Sequence, residues 1–189
     1  MRSLFRSFTV TLIMFWLTGC GIKLDGSVQQ QRAQIQKMES ATLSALYAQT
    51  PHTRKQIQHA AGYAVFDASG GKFLWGGMDH GNGVVYSNAT RQRTYMKMFE
   101  LQPGLGFGFT NFRLIFVFDT PSAVNDFVNS GWEFGGRAVA AAKNQASGDA
   151  AEDGYNVAPG IHLYQITQEG ALVGLSITGA KYWRNDDLN

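Results

Sequence analysis

The chain has 189 residues, of which 44% are hydrophobic and only 16% charged, and 22 glycines stand against 4 prolines. That balance excludes a disordered chain. The formal net charge of +2 falls to 0 once Arg2 and Arg6 leave with a cleaved leader, so no bulk electrostatic pull toward nucleic acid is expected, and a single cysteine excludes a disulfide framework.

Arg2 and Arg6 precede the apolar run Phe8 to Leu17, which is too short to span a bilayer and reads as a targeting segment. Leu17-Thr18-Gly19-Cys20 closes it in the manner of a bacterial lipoprotein signal, predicting cleavage of residues 1–19 and acylation of Cys20. The 170 residues that remain suit one domain. Two or three acyl chains would hold the protein stably in a leaflet. Gly21 in place of an acidic residue points to the outer membrane, facing the periplasm.

Residues 20–27 are then a tether reaching at most about 25 Å. Ser27 or Asp25 can cap a helix through Val28, Ile35, Met38, Thr42 and Leu46, whose spacing builds one apolar stripe. Thr50-Pro51 predicts a second, shorter helix to about Ala60, ended by Gly62. Short β-runs follow at 62–66, 72–78 and 83–86, separated by glycines, and stronger ones at 94–101 and 111–118, the last apolar enough to be covered on both faces. Thr120-Pro121 starts another helix that Gly131 ends. Residues 132–134 read as extended, 138–143 as strand or helix, and 145–154 as a polar loop; strands at 155–158, 161–167 and 171–183 close the domain, with a turn at 168–170. The expected fold is α+β: N-terminal helices, then a curved antiparallel sheet or small barrel with one inserted helix.

Gly62-Tyr63-Ala64-Val65-Phe66, the glycine-rich 76–85 segment, Phe112 to Phe118 and Trp132-Glu133-Phe134-Gly135-Gly136 resemble, in that order, motifs of the SYLF domain family over roughly residues 28–183, and of its bacterial lipoprotein branch in particular. The resemblance implies a non-catalytic domain, residues 28–189, that binds phospholipid at a membrane surface. The alternative is a lipoprotein whose domain recruits another envelope protein without recognising lipid.

Headgroup binding needs cations and amphipathic aromatics. Lys181, Tyr182, Trp183 and Arg184 form one candidate contact, and Arg91, Arg93 and Lys97, with Tyr95 among them on one strand face, form another. Trp75 and Trp132 sit beside glycines and are expected to pack across close backbones, while Asp79-His80 reads as a surface turn pair. His52, His59, His80 and His162 are scattered, and no P-loop ending, EF-hand spacing or Gly-x-Ser-x-Gly elbow is present, so no metal, cofactor or catalytic residue is expected.

Overall fold

The computed structural model describes residues 24–131, 133–134, 154–168, 170–173 and 179–189. The leader, Cys20, Trp132, the 138–143 segment, nearly all of the 145–154 loop and residues 174–178 of the last expected strand lie outside the described residues. In chain order the elements are α1 (Val28–Gln49), α2 (Thr53–His59), β1 (Gly62–Ser87), β2 (Arg93–Phe118), α3 (Pro121–Asn129), β3 (Glu133–Phe134), β4 (Tyr155–Ala158), β5 (Ile161–Thr167), β6 (Ala180–Arg184) and a 3-10 turn at Asp186–Leu188. The fold is α+β, and its antiparallel sheet is open, running β3-β6-β2-β5-β4 with β1 paired to β2.

Both long helical starts follow from local capping chemistry. Ser27 accepts from the Gln30 amide while the Gln30 side chain accepts from the Ser27 amide, a reciprocal capping box. Thr120 caps α3 through the Ala123 amide, with Pro121 at the first helical position. The second helix begins later than the Thr50-Pro51 pair predicts, because the Thr50 amide is already spent on Leu46 O as the end of α1. Thr50 serves the next helix only through its carbonyl, which accepts from the Thr53 amide and hydroxyl.

The expected short β-runs are not separate. Residues 62–87 form one strand and 93–118 another, 26 residues each, joined by a turn and paired from Gly62↔Phe118 to Tyr86↔Arg93 with a single irregularity at Leu74/Gly76. Glycines read as turns instead let β1 lie against itself. A Cβ at Gly83 would overlap Val65 O and the Phe66 ring, and one at Gly81 would overlap Asp67 O. The two halves of β1 therefore meet backbone to backbone, which only residues without a side chain permit.

This doubled ribbon separates two cores. On one face Ile35, Met38, Leu46 and Ile57 of the first two helices pack on Tyr63, Val65, Val84, Ile115 and Val117. On the other, Phe66, Phe116 and Phe118 gather around Phe127 of α3 and Tyr182 of β6, with ring centroids 4.9–6.5 Å apart. Residues 114–118 are fully buried, as expected of a central strand, since β1 and β5 flank them and side chains cover both faces. Glu39 in α1 is the ionic link between helix and sheet. It is 2% exposed, accepts from the Tyr63 hydroxyl at 2.7 Å and pairs with Arg93 Nε at 3.1 Å. Burial works against the Arg93 charge, but the hydrogen bond and charge of Glu39 outweigh it and hold the guanidinium protonated.

Candidate functional site

Midway along the ribbon the chain leaves the cover of all three helices. Phe73, Trp75, Leu105, Phe107 and Phe109 are each between 68% and 76% exposed, and Leu74, Met78 and Leu101 join them at the surface. Phe73 stands directly opposite Phe107, edge to face at 5.0 Å. Gly104, Gly106 and Gly108 alternate with Leu105, Phe107 and Phe109, so the large side chains of this stretch of β2 stand apart from one another along the strand. Lys72 is the sole charged residue in 69–78 and 101–110, and its ammonium donates to Pro103 O at 3.4 Å. Trp75 thus does not pack across backbones as its glycine neighbours suggested; it is at the outermost bend, beside Leu74, whose φ of 53° marks the corner.

The side chains beneath this tip are polar. Asp79 is fully buried and accepts from the Gln102 amide and the Thr110 hydroxyl, rather than occupying a surface turn, while its neighbour His80 is exposed. Burial pushes the Asp79 carboxyl up, against the pull of those two hydrogen bonds and of His80. The tip therefore inverts the usual arrangement, with polar groups inward and apolar groups outward. Single exposed apolar residues are common, but a set of eight on one stretch of ribbon is not. Burying the set would release on the order of 10 kcal/mol gross, at about 1.5–3 kcal/mol for each fully buried side chain.

The sequence-predicted headgroup residues divide differently from expectation. Lys181 pairs with Glu133 at 2.9 Å, Lys97 with Asp187 at 3.3 Å, and Arg93 with Glu39. Tyr182 is fully buried in the aromatic core, and burial together with the Glu100 charge raises its hydroxyl pKa. Trp183 is 37% exposed. Arg91 lies in the turn before β2 with φ 58°, so the shared strand face begins at Arg93 and continues through Tyr95 and Lys97. That face is packed by α1 and the 3-10 turn, through Gln36 to Tyr95 and Asp187 to Lys97.

What the two clusters share is β2–β6 pairing, which sets Met96 opposite Arg184 and Lys97 opposite Trp183. It brings Arg184 to a groove of about 510 Å³ that Arg32 and Arg93 also line. Among the described residues no group of three or more His, Cys, Asp or Glu is placed to hold a metal, and no helix is long and apolar enough to cross a membrane. His162 instead faces Asp119 at 3.2 Å, and His59 Nδ1 lies 2.7 Å from Lys55 O.

The molecule is thus an α+β domain with a doubled β-ribbon, an exposed apolar tip and a cationic groove. Residues 99–189 match the family described as Ysc84, Las17-binding protein actin regulator, the SYLF family that the sequence motifs resemble. The chain is also similar to Beta cell expansion factor A of Aeromonas veronii, with 32% identity over 164 residues. That match covers 86% of this chain and 60% of the relative's length. The family match takes in the β2 half of the tip, Leu101 to Phe109, which the sequence motifs did not single out.

Proposed function

We propose that this chain is a lipid-anchored protein of the bacterial cell envelope whose SYLF domain binds phospholipid bilayers without catalysing a reaction, and that the ribbon tip makes the contact. The carrying observation is the set of large apolar side chains exposed on residues 73–78 and 101–109, with Lys72 the sole charged residue in 69–78 and 101–110. A bilayer is the occupant favoured by the lipobox at Leu17-Thr18-Gly19-Cys20 and the short tether after it, which hold the domain beside a membrane. Phe and Trp suit the headgroup–acyl boundary, and Lys72 can extend its ammonium toward lipid phosphate.

Depth follows from hydrogen bonding. Across residues 102–110, β2 is paired with β1 alone among the described residues. The ribbon keeps backbone groups that need water, so the tip enters the interface by about 5–10 Å and stops short of the hydrocarbon centre. The outer membrane, on its periplasmic side, is the expected address because Gly21 follows the anchor cysteine.

The test is flotation of the unlipidated chain from residue 21 onward with vesicles of phosphatidylethanolamine and phosphatidylglycerol. Binding is expected for the native sequence, and a loss of at least tenfold for the triple variant Trp75→Ser, Phe107→Ser, Phe109→Ser, whose unfolding midpoint should stay within error because all three side chains are exposed. Failure of the native chain to float with any vesicle would overturn direct lipid recognition. Recruitment of another envelope protein by the same tip would then be the surviving reading.

A further inference from the structure

The groove at the other end of the ribbon is a separate site. We infer that Arg32, Arg93 and Arg184 form a binding site for a phosphate-bearing ligand, independent of the membrane contact made by the tip. Ten residues of β2 separate Tyr95 in this groove from Leu105 in the tip, roughly 33 Å of strand at 3.3 Å per residue. One surface cannot serve both.

Three observations build the site. First, two guanidiniums are fixed on one edge and free on the other. Arg32 donates through Nε to Leu188 O at 2.8 Å and lies 5.6 Å from the Tyr95 ring centre; Arg93 donates through Nε to Glu39 and lies 4.8 Å from the Tyr86 ring centre. The terminal nitrogens of both have no hydrogen-bond partner among the described residues, and planar guanidinium forks held in this way match phosphate oxygens. Second, the charges do not cancel. Glu39 neutralises Arg93 and Asp187 is engaged by Lys97, whereas neither Arg32 nor Arg184 has a carboxylate within 4.0 Å among the described residues. Two uncompensated positive charges match the charge of a phosphate monoester, about −1.5 to −2 at neutral pH.

Third, the floor is rigid. The Asn189 side chain bonds both backbone groups of Tyr95, accepting from its N–H at 2.9 Å and donating to its C=O at 2.8 Å, and Gln36 donates to the Tyr95 hydroxyl at 2.6 Å. The groove's volume of about 510 Å³ exceeds a bare phosphate and accommodates a phosphorylated small molecule or a phospholipid headgroup.

The two sources are separated by titrating the untagged full-length protein, purified in a nonionic detergent, with glycerol 3-phosphate by calorimetry. A parallel arm measures its recruitment to vesicles of phosphatidylglycerol against phosphatidylcholine. Arg184 is the residue to change, since it has no hydrogen bond or ion pair among the described residues and Arg184→Gln should leave the unfolding midpoint in place. Binding of glycerol 3-phosphate that Arg184→Gln weakens at least tenfold supports a soluble phosphate ligand. A preference for phosphatidylglycerol that the variant abolishes, without glycerol phosphate binding, supports a headgroup. Arg184→Lys should recover part of either effect at most, because it restores charge without the fork. If neither ligand responds to Arg184→Gln, nor to Arg184→Gln combined with Arg32→Gln, the site is refuted. The tip reading is untouched by that outcome, because phosphatidylcholine binding depends on Trp75, Phe107 and Phe109, and the triple tip variant should still bind glycerol 3-phosphate.

Discussion

Asp79 concentrates the tension at the base of the tip into one carboxyl. It is buried and hydrogen-bonded to Gln102 and Thr110, and its pKa lies above the ordinary 3.8. From pH 3.8 up to that raised value the folded protein binds more protons than the unfolded chain, so this residue's contribution to stability falls as pH rises and levels off above the folded pKa. Asp79→Asn removes the charge while Gln102 can turn its amide to accept. We expect the variant to be more stable than the native protein at pH 7, and the difference to shrink as pH falls toward 3.8. Urea unfolding midpoints of both proteins between pH 3.5 and 7 would check this; a native-minus-variant difference that is flat with pH would refute it.

The ribbon makes opposite demands on its glycines. Gly83→Ala places a methyl group against Val65 O and the Phe66 ring, and overpacking of that kind costs about 1–3 kcal/mol or more where backbone must shift. Gly108→Ala meets nothing within 4 Å and should change stability by less than about 0.5 kcal/mol. Chemical denaturation of the pair measures both. The contrast also marks the boundary of what the sequence discloses. Helix starts at Ser27 and Thr120 were legible because a cap is satisfied within three residues, and the span of β5 because its turns are local. Glycines at 70, 81 and 83 looked like turns because the backbone they accommodate belongs to residues 65–79, brought there by a fold-back that no local pattern encodes. The tip was hidden for a related reason. Alternation in Leu105-Gly106-Phe107-Gly108-Phe109 states which side chains share a face but not whether anything covers it. The clusters at 91–97 and 181–184 could be seen, but their junction at one groove required the β2–β6 register, and Arg32, on a helix read for its apolar stripe, carried no signal of its own.

At the scale of the molecule, the proposed acyl anchor and ribbon tip are two attachments joined by one chain. When one is engaged, the other meets its membrane at a high effective concentration, so the pair gains more than either alone. With the anchor intact, the triple tip variant should remain in the membrane fraction while its tip is no longer shielded. A chain in which a cleavable signal lacking the lipobox replaces residues 1–20 should dissociate on carbonate washing, and its combination with the tip variant should be released without it. Fractionation of cells expressing the four forms distinguishes these outcomes; retention of the combined variant would show an attachment beyond both.

The register of the ribbon also fixes an order of assembly. Pairs along it widen in sequence from Tyr86↔Arg93 at the turn, through Leu74↔Gly106 at the tip, to Gly62↔Phe118 at the far end. Loop closure favours the narrow pairs first, so pairing propagates outward from residues 87–93 and crosses the apolar tip before the central strand can dock. Val84→Ala should therefore slow folding, whereas Val117→Ala should mainly speed unfolding, a difference that stopped-flow kinetics on both variants would read directly. A folding chain thus presents its stickiest surface early, before the core that supports it is complete, and the interval of that exposure is written into which strand residues face each other.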